Sequence, residues 1–282
     1  MTKISWPLGR GTAYDVRAIV IVISSFGVMA SGLPVDGPLP SESLVGNPAL
    51  GPDFDDDGFR DLAVGVSGED GGVGAVHVLY GSPDGLVSAR SQLWTEESAG
   101  VGDGGLDSFG EIVTWGDFDL DGFYDLAIGA PHARVPRGGR AGAVVVLRGS
   151  SDGLTAVGAQ VWSQNSPGVL GRAATDDSFG ASLIGRDFDG DKKDDLAIGV
   201  PGDDHPRDSG AVQVLFGSAT GLAADRNQLL RQPASEQLRN EQFGYSLGAG
   251  HLDEADLRFD LLVGATDRVG GKKQAGAVSV MS

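Results

Sequence analysis

The sequence predicts an all-β fold: a β-propeller of four-stranded antiparallel blades, in about four repeats that make a partial or a small propeller. Three observations carry this expectation. A nine-residue acidic loop recurs as DFDDDGFRD at Asp53–Asp61, DFDLDGFYD at Asp117–Asp125 and DFDGDKKDD at Asp187–Asp195. Strand-like segments keep the same order around each copy. The interval is constant, with Gly-Ser turns at Gly81, Gly149 and Gly217 spaced 68 residues apart. Such a unit is too long for a leucine-rich or ankyrin repeat and lacks helical periodicity. One four-stranded sheet leaves two apolar faces and two edges, so the units must stack, and radial stacking of such sheets makes a propeller. A β-sandwich is the competing fold, but it does not require so regular a recurrence.

Taken in order, the chain begins with Lys3, Arg10 and Arg17 ahead of an apolar run, Ala18–Ala30, where Val28-Met29-Ala30 offers the small residue of a cleavage site. Thirteen residues are too few to span a bilayer but suit a signal-peptide core, so residues 1–30 are read as one and the protein as secreted. Residues 31–42 form a Pro-rich linker. The repeats then occupy approximately 43–108, 109–178, 179–242 and 243–282. In each of the later three, Phe-Gly (Phe109-Gly110, Phe179-Gly180, Phe243-Gly244) opens a strand that runs toward the acidic loop. Behind the loop come DLAVGV, DLAIGA and DLAIGV, apolar, β-branched and bounded by glycine as strands are. A variable loop leads to GAVHVLYGS, GAVVVLRGS and GAVQVLFGS, each a strand and a tight turn. The last strand follows as SQLWTE, AQVWSQ or NQLLRQ, with Trp94, Trp162 and Leu230 in equivalent places. Two arrangements stay open. The four blades close on themselves, with Ser43–Asn47 as the missing outer strand of the last one, or they form an open array whose bare faces self-associate.

The acidic loops carry the chemistry. Carboxylates stand at positions 1, 3, 5 and 9: Asp53, Asp55, Asp57 and Asp61; Asp117, Asp119, Asp121 and Asp125; Asp187, Asp189, Asp191 and Asp195. Alternate residues of a tight loop point to a common centre, joined by the carbonyl at position 7 (Phe59, Phe123, Lys193). Hard oxygen ligands in that number suit Ca²⁺, whereas Mg²⁺ takes fewer protein ligands and keeps its waters. About three Ca²⁺ sites are therefore expected. Gly58 and Gly122 fit the sharp turn at position 6, where the third copy has Lys192. An EF-hand opens with the same spacing but closes on a Glu at position 12, between helices. Here position 12 is Val64, Ile128 or Ile198, within a strand. Without a cation, the four carboxylates of a loop repel, each pair by roughly 4 kcal/mol at about 4 Å and an effective dielectric near 20.

Composition agrees. The 46 glycines without a collagen period point to many turns between short strands. A formal charge of −18 excludes a nucleic-acid partner on electrostatic grounds. Twelve of the 39 acids hold positions 1, 3, 5 and 9 of the three loops, so bound cations account for the acidity better than an acidic tail does. The absence of cysteine removes disulfides and thiol catalysis.

The Phe-Gly pairs, the DxDxDGxxD loops and Gly129-Ala130-Pro131, with Gly199-Val200-Pro201, Gly65-Val66-Ser67 and Gly264-Ala265-Thr266 as its relatives, resemble FG-GAP repeats over roughly residues 43–282. Such repeats build the integrin α-subunit propeller and occur in many secreted bacterial proteins. The resemblance implies calcium loops on one rim and recognition on the opposite one, in an adhesion or ligand-binding module. It also implies a second reading, the propeller part of a hydrolase related to phospholipase D acting on glycosylinositol-phosphate anchors. A third is a truncated fragment. In the fourth repeat the loop reads HLDEADLRFD, His251–Asp260, and loses an Asp position, so weak or no metal is expected there.

No catalytic residue is expected, and the chain is read as not an enzyme. Gly244-Tyr245-Ser246-Leu247-Gly248 matches the GxSxG pattern, but inside a strand, whereas a nucleophile elbow needs a strand-to-helix turn. His77, His132, His205 and His251 show no metal or catalytic spacing. The partner is an unknown extracellular protein or polysaccharide, met by loops such as Gly68–Gly72, His132–Arg140 and Gly202–Asp208. The second of these is basic, through Arg134, Arg137 and Arg140, and suits an anionic surface.

Overall fold

The computed structural model describes residues 51–100, 105–203, 209–232, 242–252, 258–265, 268–269, 272–273 and 277–281. The signal peptide, the linker, the Ser43–Asn47 strand, His205 and the centre of the fourth acidic loop lie outside these residues.

Four antiparallel sheets succeed one another along the chain. The first holds β1 (Leu62–Val66), β2 (Ala75–Tyr80) and β3 (Val87–Trp94). The second holds β4 (Ile112–Gly116) and β5 (Asp125–Ala130), then a small hairpin of β6 (Arg134–Val135) and β7 (Gly139–Arg140), then β8 (Ala143–Arg148) and β9 (Thr155–Trp162). The third holds β10 (Ser182–Arg186), β11 (Asp195–Val200), β12 (Ala211–Ser218) and β13 (Gly221–Leu230). The last comprises β14 (Ser246–Gly250), β15 (Asp260–Ala265), the hairpin strands β16 (Arg268–Val269) and β17 (Lys272–Lys273), and β18 (Ala277–Met281). Apart from the hairpins, each sheet is a meander whose strands lie in chain order. These are propeller blades. A short 3₁₀ turn, Glu69–Gly71, is the one helical element among the described residues.

The repeat registers coincide. Val76 opposes Trp94, Val144 opposes Trp162 and Val212 opposes Leu230, as the sequence alignment requires. A bulge falls at the same place in all three outer pairs, at Val78/Tyr80, Val146/Arg148 and Val214/Phe216. Such a bulge increases local twist and aims the next side chain differently.

Strand alternation gives every inner blade two apolar faces. Leu126, Ile128, Val145 and Leu147 of the second blade join Val76, Val78 and Tyr80 of the first in one core. Ala127, Val144 and Val146 from the opposite face join Leu196, Ile198 and Leu215 of the third blade. The third blade repeats the device with Ala197, Val212 and Phe216 against Leu261 and Val263. No blade has a private core, so each is stable only against its neighbours.

Glycine explains how closely the blades approach. A Cβ built on Gly129 would lie 2.4 Å from the Gly180 carbonyl oxygen, and one on Gly199 would lie 2.1 Å from that of Gly244. The glycine of each DLAxG strand therefore lets the backbone of the next Phe-Gly turn come into contact. Glutamines clasp the outer strands: Gln92 Nε2 donates to the Leu154 carbonyl (2.9 Å), and Gln160 Nε2 donates to that of Leu222 (3.0 Å) while its Oε1 accepts from the Leu222 N–H (3.0 Å). Because Leu222 is buried, Gln160→Ala strands both of its backbone groups. We expect that substitution to lower stability by about 1–3 kcal/mol in urea unfolding, and a loss below about 0.5 kcal/mol would show that water replaces the clasp.

Candidate metal centres

The second and third acidic loops join the first two strands of their blades and the first leads into β1, the equivalent of β5 and β11, so all three lie at the same end of the stacked sheets. The loops fold on their own carboxylates. Asp53 accepts from the N–H groups of Asp57 and Gly58 (3.2 and 3.1 Å), and Asp117 accepts from those of Asp121 and Gly122 (both 3.1 Å). Asp187 accepts from Gly190 and Lys192 (2.6 and 2.9 Å). Position 5 then caps position 7: the N–H groups of Phe59, Phe123 and Lys193 donate to Asp57, Asp121 and Asp191. Left-handed backbone is needed twice per loop. It falls on Asp56 and Gly58, on Leu120 and Gly122, and on Gly190 and Lys192, with φ between +51° and +97°. The third copy, which lacks the position-6 glycine, carries its glycine at position 4 instead. Every loop thus has one strain-free residue of the two.

The carboxylates converge in threes. Oxygens of Asp53, Asp55 and Asp57, of Asp117, Asp119 and Asp121, and of Asp187, Asp189 and Asp195 lie within 4.8 Å of one another in each group. Asp61 and Asp125 stand outside those triads. Position 9 works as a staple: Asp61 accepts from Phe54 and Gly81 (2.6 and 2.8 Å), Asp195 accepts from Phe188 and Gly217 (both 2.9 Å), and Asp125 accepts from Gly149 (3.0 Å). This ties the loop to the Gly-Ser turn of its own blade, and because a carboxylate oxygen has two lone pairs it still leaves acceptor capacity. Asp191 instead meets the Lys193 ammonium at 2.9 Å. The fourth loop keeps only the staple among the described residues, with Asp260 accepting from Leu252 (2.8 Å).

Burial dominates the electrostatics. It pushes Asp61, Asp125 and Asp195 each up to about 7, against backbone N–H donors that favour the ionised form. It also raises Asp53 and Asp117. Asp194, which accepts from the Asp117 N–H across the blade boundary, is pushed up to about 6 by the same burial. At Asp191 burial is outweighed by hydrogen bonds from Lys193, which hold that carboxyl below its ordinary range.

Sequence reasoning missed an arginine at every loop. Arg90 meets Asp55 (2.7 Å), Arg148 meets Asp119 (2.7 Å) and Asp125 (3.0 Å), and Arg226 meets Asp189 (2.9 Å). The signal was there in the repeat alignment. Arg90 and Arg226 share one position and lie over the rings of Tyr80 and Phe216, which also share one, each 5.1 Å from the ring centre. In the second repeat the two positions are exchanged: Arg148 stands where the aromatic would be, and Gly158 stands where the arginine would be. Each guanidinium offsets one unit of the loop's negative charge.

The residues fit a hard divalent cation. Their donors are oxygens only, and the buried Asp55 Oδ1 and Asp119 Oδ1 accept no hydrogen bond among the described residues. Buried acceptors left so are costly unless a cation or water meets them. Other candidates fall away. Ser246 lies on β14 with no strand-to-helix turn, His77 pairs with Glu69 at 3.4 Å, and His251 Nδ1 donates to the Arg258 carbonyl (3.0 Å).

Residues 45–79, 109–147 and 179–215 match the FG-GAP repeat, and integrin alpha-PS5 of Drosophila melanogaster is 38% identical over 134 residues, covering 46% of this chain and 13% of that one. The chain is an FG-GAP repeat protein, integrin-like in its blades. Phosphatidylinositol-glycan-specific phospholipase D of Bos taurus is 30% identical to it over 216 residues, and that of Homo sapiens is 30% identical over 226. Those alignments take in 73% and 76% of this FG-GAP chain, which spans about a quarter of the length of either relative. They correct the expectation that the chain is not an enzyme, since these relatives are enzymes. The expectation weighed only groups inside the repeats. The matched FG-GAP region is one part of a longer catalyst in those proteins, so the groups inside the repeats do not decide the question.

Proposed function

We propose that this chain is an extracellular calcium-dependent propeller module for ligand binding or adhesion, with residues 1–30 as signal peptide, 31–42 as linker and the repeats from 43 to 282. Asp53, Asp55, Asp57 and Asp61, their counterparts from Asp117 to Asp125 and from Asp187 to Asp195, and the carbonyls of Phe59, Phe123 and Lys193 would hold three Ca²⁺. Bound calcium supplies fixed positive charge that lets buried carboxylates stay ionised. The observation that carries the reading is that the loops are wired to neighbouring blades. The Phe54 carbonyl accepts from Ser150 (3.2 Å), that of Phe118 from Ser218 (3.1 Å) and that of Asp117 from Asp194 (3.0 Å). Ordering a loop therefore orders the seam beside it. Equilibrium dialysis against about 10 mM calcium should leave about three calcium ions per chain in excess over the dialysate, and an excess near zero rejects the reading.

A second reading makes these repeats the propeller of a phosphatidylinositol-glycan phospholipase. The length of the phospholipase alignments favours it, since they take in more of this chain than the integrin one. Release of a phosphatidylinositol-glycan-anchored reporter from membranes by the native protein would support this reading, and its absence at saturating calcium and zinc would reject it.

A further inference from the structure

At the other end of the blades from the acidic loops, we infer that a basic pocket binds an acidic saccharide. The inference names a ligand for the binding role proposed above and rests on that reading. A cavity of about 940 Å³ opens between the β6–β7 hairpin and the connection from β9 to β10, with Arg137, Arg172, Arg231 and Thr175 on its walls. A second cavity of about 640 Å³ shares Arg137 and Arg172 and adds the polar side chains of Ser163, Asn165 and Ser166. Two arginines thus stand where two polar compartments meet.

Charge distinguishes the place in a chain whose formal charge is −18. Arg231 is neutralised by Asp203, at 3.0 and 3.1 Å. Arg137 and Arg172 have no carboxylate partner among the described residues. Of the three arginines in the basic hairpin, only Arg137 reaches the pocket. Arg140 lies 3.8 Å from Asp107, and Arg134 is exposed outside the lining.

The walls are fixed before any ligand arrives. Asn165 donates to the Pro136 carbonyl (2.8 Å) and accepts from the Ala173 N–H (3.2 Å), and the Asp176 N–H donates to Arg140 (2.8 Å). Asn227 holds the same connection through Leu170 (2.9 Å) and Gly168 (2.8 Å). At the hairpin tip Arg137 has φ +62°, a left-handed conformation that glycine adopts freely and a long side chain does not, although Gly138 and Gly139 follow it directly. A strained residue held in place beside a cavity points to use rather than to stability. Guanidinium forks take carboxylate or phosphate oxygens two at a time, and the hydroxyl and amide groups around them suit a polyhydroxylated ligand. A sugar carrying a carboxylate or a phosphate satisfies both.

The test uses the calcium-loaded full chain in titration calorimetry with three probes: a glucuronate-containing tetrasaccharide, glucose 6-phosphate and neutral cellotetraose. One of the charged probes should bind at least about tenfold more tightly than the neutral one, and which of the two does so identifies the oxyanion. Arg137→Gly and Arg172→Ala should each weaken that binding about tenfold or more, while Arg134→Ala leaves it unchanged. Arg137→Gly should melt no lower than the parent, so its loss of binding is not a loss of fold. Equal binding of the neutral probe, or full binding by Arg137→Gly, overturns the inference. A chain that takes up three calcium ions yet ignores every probe loses the pocket alone, whereas one that takes up none loses the module reading as well.

Discussion

Phe179→Ala will lower the unfolding free energy by about 3–5 kcal/mol, among the largest losses expected from a single side chain in the described blades. Phe179 is fully buried in the core shared by the second and third blades. Its backbone is pinned on both sides, with its own N–H donating to the Ala141 carbonyl (2.8 Å) and the Gly180 N–H donating to that of Gly199 (3.0 Å). Those bonds survive truncation, so the loss comes from packing. They also fix the walls, because at Gly142 the two backbones already touch: a Cβ there would lie 2.3 Å from the Phe179 carbonyl oxygen. The cavity cannot collapse, and the cost belongs at the high end of its range. Urea unfolding measures it. Phe59→Ala, at a side chain 37% exposed, should stay within about 1 kcal/mol of the parent. If Phe179→Ala unfolds at the parent's midpoint, the blades are not held by the phenylalanine wedges.

The wedge shows how far the sequence could be read. Phe-Gly, DLAxG and Gly-Ala-Val were legible because they recur, and their recurrence reflects one seam geometry built three times: Phe109 donates to Val73 (2.9 Å), Phe179 to Ala141 and Phe243 to Ser209 (2.9 Å). The acidic loops were legible for the same reason, and so was the equivalence of Trp94, Trp162 and Leu230. What escaped was whatever broke the pattern or joined distant segments. Lys192 stood out only as the residue without glycine at the sixth place of its loop, and the compensating glycine at position 190 went unseen. Arg148 looked unrelated to Arg90 because it reaches the same carboxylate position from a different strand. Position 9 looked like one ligand among four, yet its hydrogen bonds to Gly81, Gly149 and Gly217 lie 20 to 24 residues along the chain, beyond what loop spacing reveals. The Arg137 and Arg172 pocket unites segments of two blades, and only the hairpin half was visible as a basic loop.

Removing calcium should destabilise the protein in a pH-dependent way. Sites with an extracellular affinity of about 10⁻⁴ to 10⁻³ M each gain roughly 0.4–1.4 kcal/mol at 1 mM calcium. Three of them give about 1–4 kcal/mol, or a fall of roughly 3–15 °C in Tm on chelation at pH 8. The sign of the pH effect follows from the buried carboxyls. Asp61, Asp125 and Asp195 titrate near about 7 in the folded chain against an ordinary 3.8. Between those values the folded state binds more protons than the unfolded one, so the stability these groups contribute is complete below about pH 3.8 and is lost as pH rises through about 7. The chelated protein should therefore melt higher at pH 5 than at pH 8. Calcium requires the ionised form, so its own increment must run the other way and grow with pH. Melting curves at both pH values, with calcium and with chelator, separate the two slopes. A chelated protein that melts equally at pH 5 and pH 8 would show that the carboxyls are not held in a buried cage. A protein indifferent to chelator at pH 8 would show that no cation closes it.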